Sequence, residues 1–220
     1  RSGGEWTEPA LVQLFADTTI TVGHPAISPD GSKMYFVSDA DGGFGGKDIW
    51  VAINEGGKWI VPENLGSAIN TSGNEMFPYV RQDGVLFFSS DGHKGFGGLD
   101  IYMAVQDSTG VWIVENMYTP INSAGDDFGI TFNNDNSVGY FSSSRDQRRP
   151  IDKIYRFEWC NDFAAARNVC FEHAKGEWFL FVDDDEWFDD VTEVIEFFNS
   201  GESDNYGHGL YKIRNYRADE

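Results

Sequence analysis

The sequence predicts an all-β arc of about three four-stranded blades, a partial β-propeller, followed by a small α/β segment. Three observations carry this. A set of motifs recurs every 52–53 residues: Trp6, Trp59 and Trp112; Pro25 and Pro78; Asp30-Gly31, Asp83-Gly84 and Asp135-Asn136; Ile69-Asn70 and Ile121-Asn122. A fixed period of that size marks a repeat architecture. Each period holds short apolar runs bounded by turn signals, and none holds a 3.6-residue periodicity long enough for a helix. After about Trp159 the period stops, and a helical pattern followed by a wholly apolar run takes its place.

The second period shows the elements in order. Met76–Arg81 reads as a strand, and Gln82-Asp83-Gly84 as a hairpin turn in which glycine supplies positive φ. Val85–Ser89 reads as a buried strand and Gly92–Gly98 as a glycine-rich loop. Asp100–Val105 is a third strand, Asp107–Gly110 a turn, and Val111–Glu115 with Trp112 a fourth strand. Four short antiparallel strands per period make one propeller blade. Blades begin near His24, Met76 and Asp127. In the third, Lys153-Ile154-Tyr155 stands where the second has Asp100-Ile101-Tyr102, and no outer tryptophan strand follows. Propellers close with roughly four to eight blades. Three blades therefore imply a fragment, an open arc, or closure by self-association through exposed blade edges.

Composition narrows the partners. The chain has 220 residues and a formal charge of −20. Acidic groups outnumber basic ones in residues 1–159 and again in 160–220. That excess argues against a nucleic-acid partner, because phosphate backbones need Lys and Arg to displace counterions. No apolar run approaches the roughly 20 residues of a membrane-spanning helix. No signal peptide is visible, and Arg1 has the look of a trimmed end. Cys160 and Cys170 are the two cysteines. They read as thiols, since no disulfide framework surrounds them.

The stretches HPAISPDGSKMYFVSDADGGFGGKDIW (24–50) and FPYVRQDGVLFFSSDGHKGFGGLDIY (77–102) resemble WD40-like repeats of the PD40 type. Such repeats occur in TolB-like and OmpA-associated proteins of Bacteroidetes. The resemblance covers residues 1–159. It implies a non-catalytic scaffold without a cofactor, periplasmic or associated with the outer membrane. Its loops would bind a protein, a peptide or a cell-wall component.

Residues 160–220 read differently. Asp162–His173 has a helix pattern, closed by Gly176 at the C-cap. Trp178–Val182 is apolar throughout, as in a central strand of a parallel sheet. It runs into Asp183-Asp184-Asp185-Glu186. Carboxylates this close repel unless a cation or water neutralises them, and ligands of open α/β sheets gather at the carboxyl ends of strands. A divalent ion on a diphosphate fits that place, and so does a solvated acidic turn opening the next helix, Asp190–Asn199. A last strand is expected at Gly209–Tyr216.

NDFAAARN (161–168) with GEWFLFVDDDEWF (176–188) is similar to family 2 glycosyltransferases of the GT-A fold. That resemblance, over residues 157–220, implies a nucleotide-sugar donor. It makes Asp183 and Asp185 the two acids of a DxD motif, with Asp183 on the nucleotide sugar and Asp185 on Mn²⁺ or Mg²⁺. Asp162 and Arg167 would line the same donor site, and the compartment would be cytoplasmic. The first βαβ half of that family has no counterpart here, so turnover is not expected. Phe157-Glu158-Trp159 suits both patterns, and the chain reads as two unrelated segments joined there.

Other residues are weighed singly. Asp39, Asp41, Asp48, Asp91 and Asp100 flank the glycine-rich loops and suit either Ca²⁺ or backbone N–H groups; Asp48 and Asp100 are expected to do the latter. His24 and His93 are given no role. The repeating tryptophans are expected in blade cores or rims rather than as a sugar platform. Arg145, Arg148 and Arg149 read as a solvated basic loop, with an anionic ligand as the alternative. No catalytic triad is arguable from the sequence.

Overall fold

A computed structural model of the protein describes residues 8–146 and 151–159. The chain divides into two compact units, residues 1–169 and 170–220, and every described residue lies in the first. Trp6, Arg148, Arg149, Cys160, Cys170 and all elements expected beyond Trp159 lie outside the described residues.

Three antiparallel sheets follow one another. The first contains β1 (Val22–Ile27), β2 (Lys33–Ser38), β3 (Asp48–Glu55), β4 (Lys58–Trp59) and β5 (Glu63–Asn64). The second contains β6 (Glu75–Val80), β7 (Leu86–Ser90), β8 (Asp100–Gln106) and β9 (Trp112–Asn116). The third contains β10 (Asp127–Phe132), β11 (Val138–Ser143) and β12 (Lys153–Glu158). Within each sheet, strands pair in chain order, each next to its predecessor, except that β5 returns to β3. These are the blades of a partial β-propeller, and they start where the period places them.

Two details depart from four uniform strands. The outer edge of the first blade is split: β4 and β5 are two residues each, and both pair with β3. The third blade has three strands among the described residues. A single helical turn, α1 (Tyr118–Ile121), precedes β10.

The inner strands share one irregularity. Register shifts occur between Gly23 and Ala26, Met76 and Tyr79, and Phe128 and Thr131. At each bulge one residue adopts positive φ: His24 at 48°, Phe77 at 54° and Gly129 at 67°. For a non-glycine residue this backbone costs about 1–2 kcal/mol. Ring stacking offsets it. His24 lies on Phe77 with centroids 4.4 Å apart, and Phe77 meets Phe128 at 5.1 Å. The stack ties the three inner strands side by side.

The cores lie between blades. Tyr35 and Ile49 of the first blade meet Leu86, Phe88, Tyr102 and Ala104 of the second. Phe87, Ile101 and Met103 of the second meet Ile130, Phe132 and Phe141 of the third. On the opposite face of the first blade, Leu14, Phe15 and Ile20 pack on Met34, Phe36 and Trp50. Alternate side chains of a strand point to opposite faces, so adjacent residues such as Phe87 and Phe88 serve different junctions.

Candidate functional site

The glycine-rich loops are fasteners. Asp48 accepts hydrogen bonds from the Phe44 and Gly45 N–H groups at 2.5 and 3.2 Å and from Asn64 Nδ2 at 2.8 Å. Asp100 accepts from Phe96 and Gly97 N–H at 2.9 and 3.0 Å. Asp39 receives the Thr21 N–H at 2.8 Å, and Asp91 receives Asn74 N–H and Nδ2 at 2.6 and 2.9 Å. The expectation that Asp48 and Asp100 fix the loops through backbone donors therefore holds. Among the described residues no three His, Cys, Asp or Glu side chains converge on a metal position.

Burial pushes the Asp100 carboxyl above its usual range, with Asp127 and Asp126 adding to the shift against the two N–H bonds. A Cβ on Gly97 would collide with the carbonyl oxygens of Gly125 and Ser123, and one on Gly45 with those of Gly73 and Thr71. The glycines are there because each loop lies directly on the segment entering the next blade. Gly46 N–H donates to Gly73 O at 2.8 Å, and Asp127 N–H to Leu99 O at 2.6 Å.

One buried asparagine clips each of the first two blades to the following segment, and the sequence shows the two only as members of the repeated Ile-Asn pair. Asn70 Oδ1 accepts the Ile49 N–H at 2.8 Å, while its Nδ2 donates to Ile49 O at 2.9 Å and to Asn64 Oδ1 at 2.9 Å. Asn122 does the same with Ile101 N–H, Ile101 O and Asn116 Oδ1, at 2.8, 2.8 and 2.9 Å. The side-chain amide thus pairs with one residue's backbone as a strand would.

Arg145 is not a solvated loop residue. It donates to buried Asp127 at 2.8 Å and to the Pro120 and Ile121 carbonyls at 2.8 and 2.5 Å. Its guanidinium lies over Phe141 and Tyr155 at 4.9 and 4.7 Å. The paired carboxylate and carbonyls hold it inward, which one-dimensional charge patterning cannot reveal. The second blade solves the same position without charge compensation: Glu75 is buried and accepts from Thr71 N–H, Thr71 Oγ1 and Ser90 Oγ at 2.9, 2.7 and 2.6 Å. The histidines also have structural partners. His93 Nε2 lies 2.9 Å from Ile69 O, and Phe77 N–H donates to His24 Nδ1 at 3.4 Å. Burial, then Lys47, holds the His24 imidazole below its usual range.

At the opposite end of the blades, where the short hairpins turn, a cleft of about 580 Å³ opens between the first and second blades. Tyr35 and Trp112 give it aromatic walls, and Ser28, Ser32, Gln82 and Gln106 give it polar ones, with Asp30 and Lys33 at the lip. Trp112 both packs against the inter-blade core and lines this cleft. The expected rim position is what the structure shows, although the expectation set a ligand platform aside and Trp112 also borders the cleft. Asp30 is fully ionised near neutrality: hydroxyl and N–H donors from Ser28 and Ser32 lower its carboxyl to about 2. Burial, then Asp30, pushes the Tyr35 phenol up, so it stays protonated as a donor.

The same place between the second and third blades is filled. Arg81 opens its hairpin as Ser28 does: Gly84 N–H donates to Arg81 O and Gly31 N–H to Ser28 O. Trp159 stands two residues beyond Phe157, the partner of Gly139, just as Gln106 stands two beyond Ala104, the partner of Leu86. The Arg81 guanidinium lies 4.5 Å from the Trp159 ring, 5.1 Å from Phe132 and 5.3 Å from Phe87. Asp83 pairs with it at 2.8 Å.

The sequence-predicted donor-site residues Asp162, Arg167, Asp183 and Asp185 lie outside the described residues, so the structure brings none of them together.

Comparison with known proteins adds the following. The family model "Glycosyl transferase family 2" matches residues 123–218, somewhat under half of the chain. The match starts earlier than the expected join at Phe157–Trp159 and takes in the whole third blade. Curated proteins give no match. Among solved structures, one from Agrobacterium tumefaciens named for TolB aligns with a TM-score of 0.44 and 18% identity. That alignment covers 60% of this chain and 44% of the other, so the chain spans under half of that protein's length. Among the described residues no helix is long and apolar enough to cross a membrane. The chain joins a propeller arc to a stretch similar to family 2 glycosyl transferases, and the two overlap from Ser123 to Trp159.

Proposed function

We propose that the arc is a non-catalytic binding and scaffold module of the cell envelope, in the periplasm or at the outer membrane, with the cleft between the first two blades as its ligand site. One observation supports it above the rest: Asp39, Asp48, Asp91, Asp100, His24 and His93 are engaged in fastening blades, while the cleft presents aromatic and polar side chains around open space. Concave, mostly preformed clefts of roughly 300–1,000 Å³ are the usual form of ligand sites. The PD40-type resemblance supports the compartment and a protein, peptide or cell-wall partner, and open blade edges supply a surface for self-association.

A second reading rests on the family match over residues 123–218. In it the chain is a metal-dependent glycosyltransferase, cytoplasmic, with a nucleotide-sugar donor. Asp183, Asp162 and Arg167 hold the donor, and Asp185 with Asp183 holds Mn²⁺ or Mg²⁺, which screens diphosphate charge. The two readings separate in one assay. Full-length protein and Asp185→Ala are incubated with UDP-hexoses and Mn²⁺, and UDP release is followed. The scaffold reading expects no release above buffer from either protein. Release that Asp185→Ala abolishes overturns it in favour of the transferase.

A further inference from the structure

We propose that the cleft between the first two blades binds a neutral saccharide of one or two rings. This rests on the proposed binding role and names its ligand class. The two blade junctions are built alike, yet the second closes the gap with Arg81 stacked under Trp159, while the first has Ser28 and Gln106 at those two positions. The fold therefore has a way to fill this gap, and the first junction does not use it. An unfilled gap forfeits dispersion contacts along its walls. Something that occupies it and supplies those contacts restores them.

The chemistry of the walls selects the occupant. Trp112, only partly buried, presents ring surface suited to the C–H face of a pyranose, and the buried Tyr35 borders the same space. The Gln82 and Gln106 amides can donate and accept, and the Ser28 and Ser32 hydroxyls, whose protons go to Asp30, add acceptor oxygens, a set that matches sugar hydroxyls. Gln106 gives one N–H to Gly110 O at 3.2 Å, which leaves its second N–H as a donor and its carbonyl oxygen as an acceptor. The charges nearly cancel. Asp83 is paired with Arg81, and Asp30 is solvated by serine hydroxyls opposite Lys33. In a chain of charge −20 this is a locally balanced spot, so it favours neither an anion nor a polycation. The volume of about 580 Å³ accommodates one or two sugar rings.

The test uses the full chain and ligand-observed saturation-transfer NMR. The probes are cellobiose, lactose, mannobiose and N,N′-diacetylchitobiose, with a neutral Ser/Gly hexapeptide as a separate arm. The double substitution Ser28→Arg with Gln106→Trp transplants the filling pair of the second junction into the first. The expected result is a signal for at least one disaccharide that falls about tenfold or more in the double variant, a loss typical of a blocked pocket. Gln106→Trp alone, at an exposed position, gives the same readout should the double variant not fold. No disaccharide signal, or a signal unchanged by the plug, overturns the proposal. A hexapeptide signal removed by the plug, without any disaccharide signal, overturns the saccharide but keeps the cleft as a binding site. UDP release dependent on Asp185 is what would remove the binding-module reading itself.

Discussion

Strands β7 and β11 hold the same place in the second and third blades, yet their burial differs. All five residues of β7, Leu86–Ser90, are buried, whereas β11 alternates, with Phe141 buried and its neighbour Tyr140 40% exposed. Phe88 faces the first blade and Phe87 the third, so β7 has packing on both sides. Phe141 faces the second blade, and Tyr140 stands where Phe87 stands one blade earlier. A strand is apolar on both faces only where both faces are covered. Position in the stack, more than local β-propensity, sets which residues the blade can use.

The sharpest way to break this comparison is truncation at the two matched sites. Phe87→Ala is expected to lower stability by about 3–5 kcal/mol, the range for a buried aromatic. Tyr140→Ala is expected to stay within about 0.5 kcal/mol, as for an exposed site. Urea midpoints at constant m-value decide it, and equal losses would mean that Tyr140 is covered in solution. Next comes the buried carboxylate of each blade. Arg145→Met leaves Asp127 buried without its cation and should cost about 3 kcal/mol. Ser90→Ala removes one neutral donor from Glu75 and should cost about 1–2 kcal/mol. Adding Asp127→Asn to Arg145→Met should recover part of the loss. If the two single variants melt alike, the charged clamp is no stronger than the neutral one.

Glycines give a smaller contrast. Gly97→Ala drives a methyl group into backbone carbonyls of the next segment and should cost about 1–3 kcal/mol. Gly84→Ala meets open space at φ 90° and should cost about 1 kcal/mol through strain alone. Scanning calorimetry of the two variants checks the order. The smallest effect concerns protons. Asp100 has a raised carboxyl in the folded chain, so its ionised form opposes folding at neutral pH, and that opposition is lost as pH falls through its folded value toward 3.8. Asp30 works in the other direction: its contribution is full above 3.8 and is lost as pH falls through about 2. Relative to wild type, Asp100→Asn should be more stable at pH 7 and lose that advantage toward pH 4. A pH-independent difference between the two would remove burial as the cause.

Much of the arc was legible because its determinants are local. Asp30-Gly31, Asp83-Gly84 and Asp135-Asn136 announce hairpins, and glycine or asparagine with positive φ occupies each: Gly31 at 72°, Gly84 at 90°, Asn136 at 59°. The strand bounds followed within a residue or two. What escaped was set by packing between blades. Arg145 looks like part of a basic cluster until Asp127 and two carbonyls are seen around it. Tyr35 and Phe87 occupy matching positions, and only the stacking shows that one borders a cleft and the other a filled junction. Asn70 and Asn122 repeat plainly, but their target, one backbone unit on β3 or β8, is a three-dimensional fact.

Those two clips bear on how the chain is made. Asn70 completes Ile49 from 21 residues downstream, and Asn122 completes Ile101 from the same distance. Leu65 and Met117 N–H already reach the Ile49 and Ile101 carbonyls, so a blade emerging from the ribosome carries an open amide on its third strand until that asparagine has been synthesised. Each of these two segments latches the sheet before it. A chain stopped between a third strand and its asparagine would end on an unlatched blade, whereas one stopped a few residues later would not.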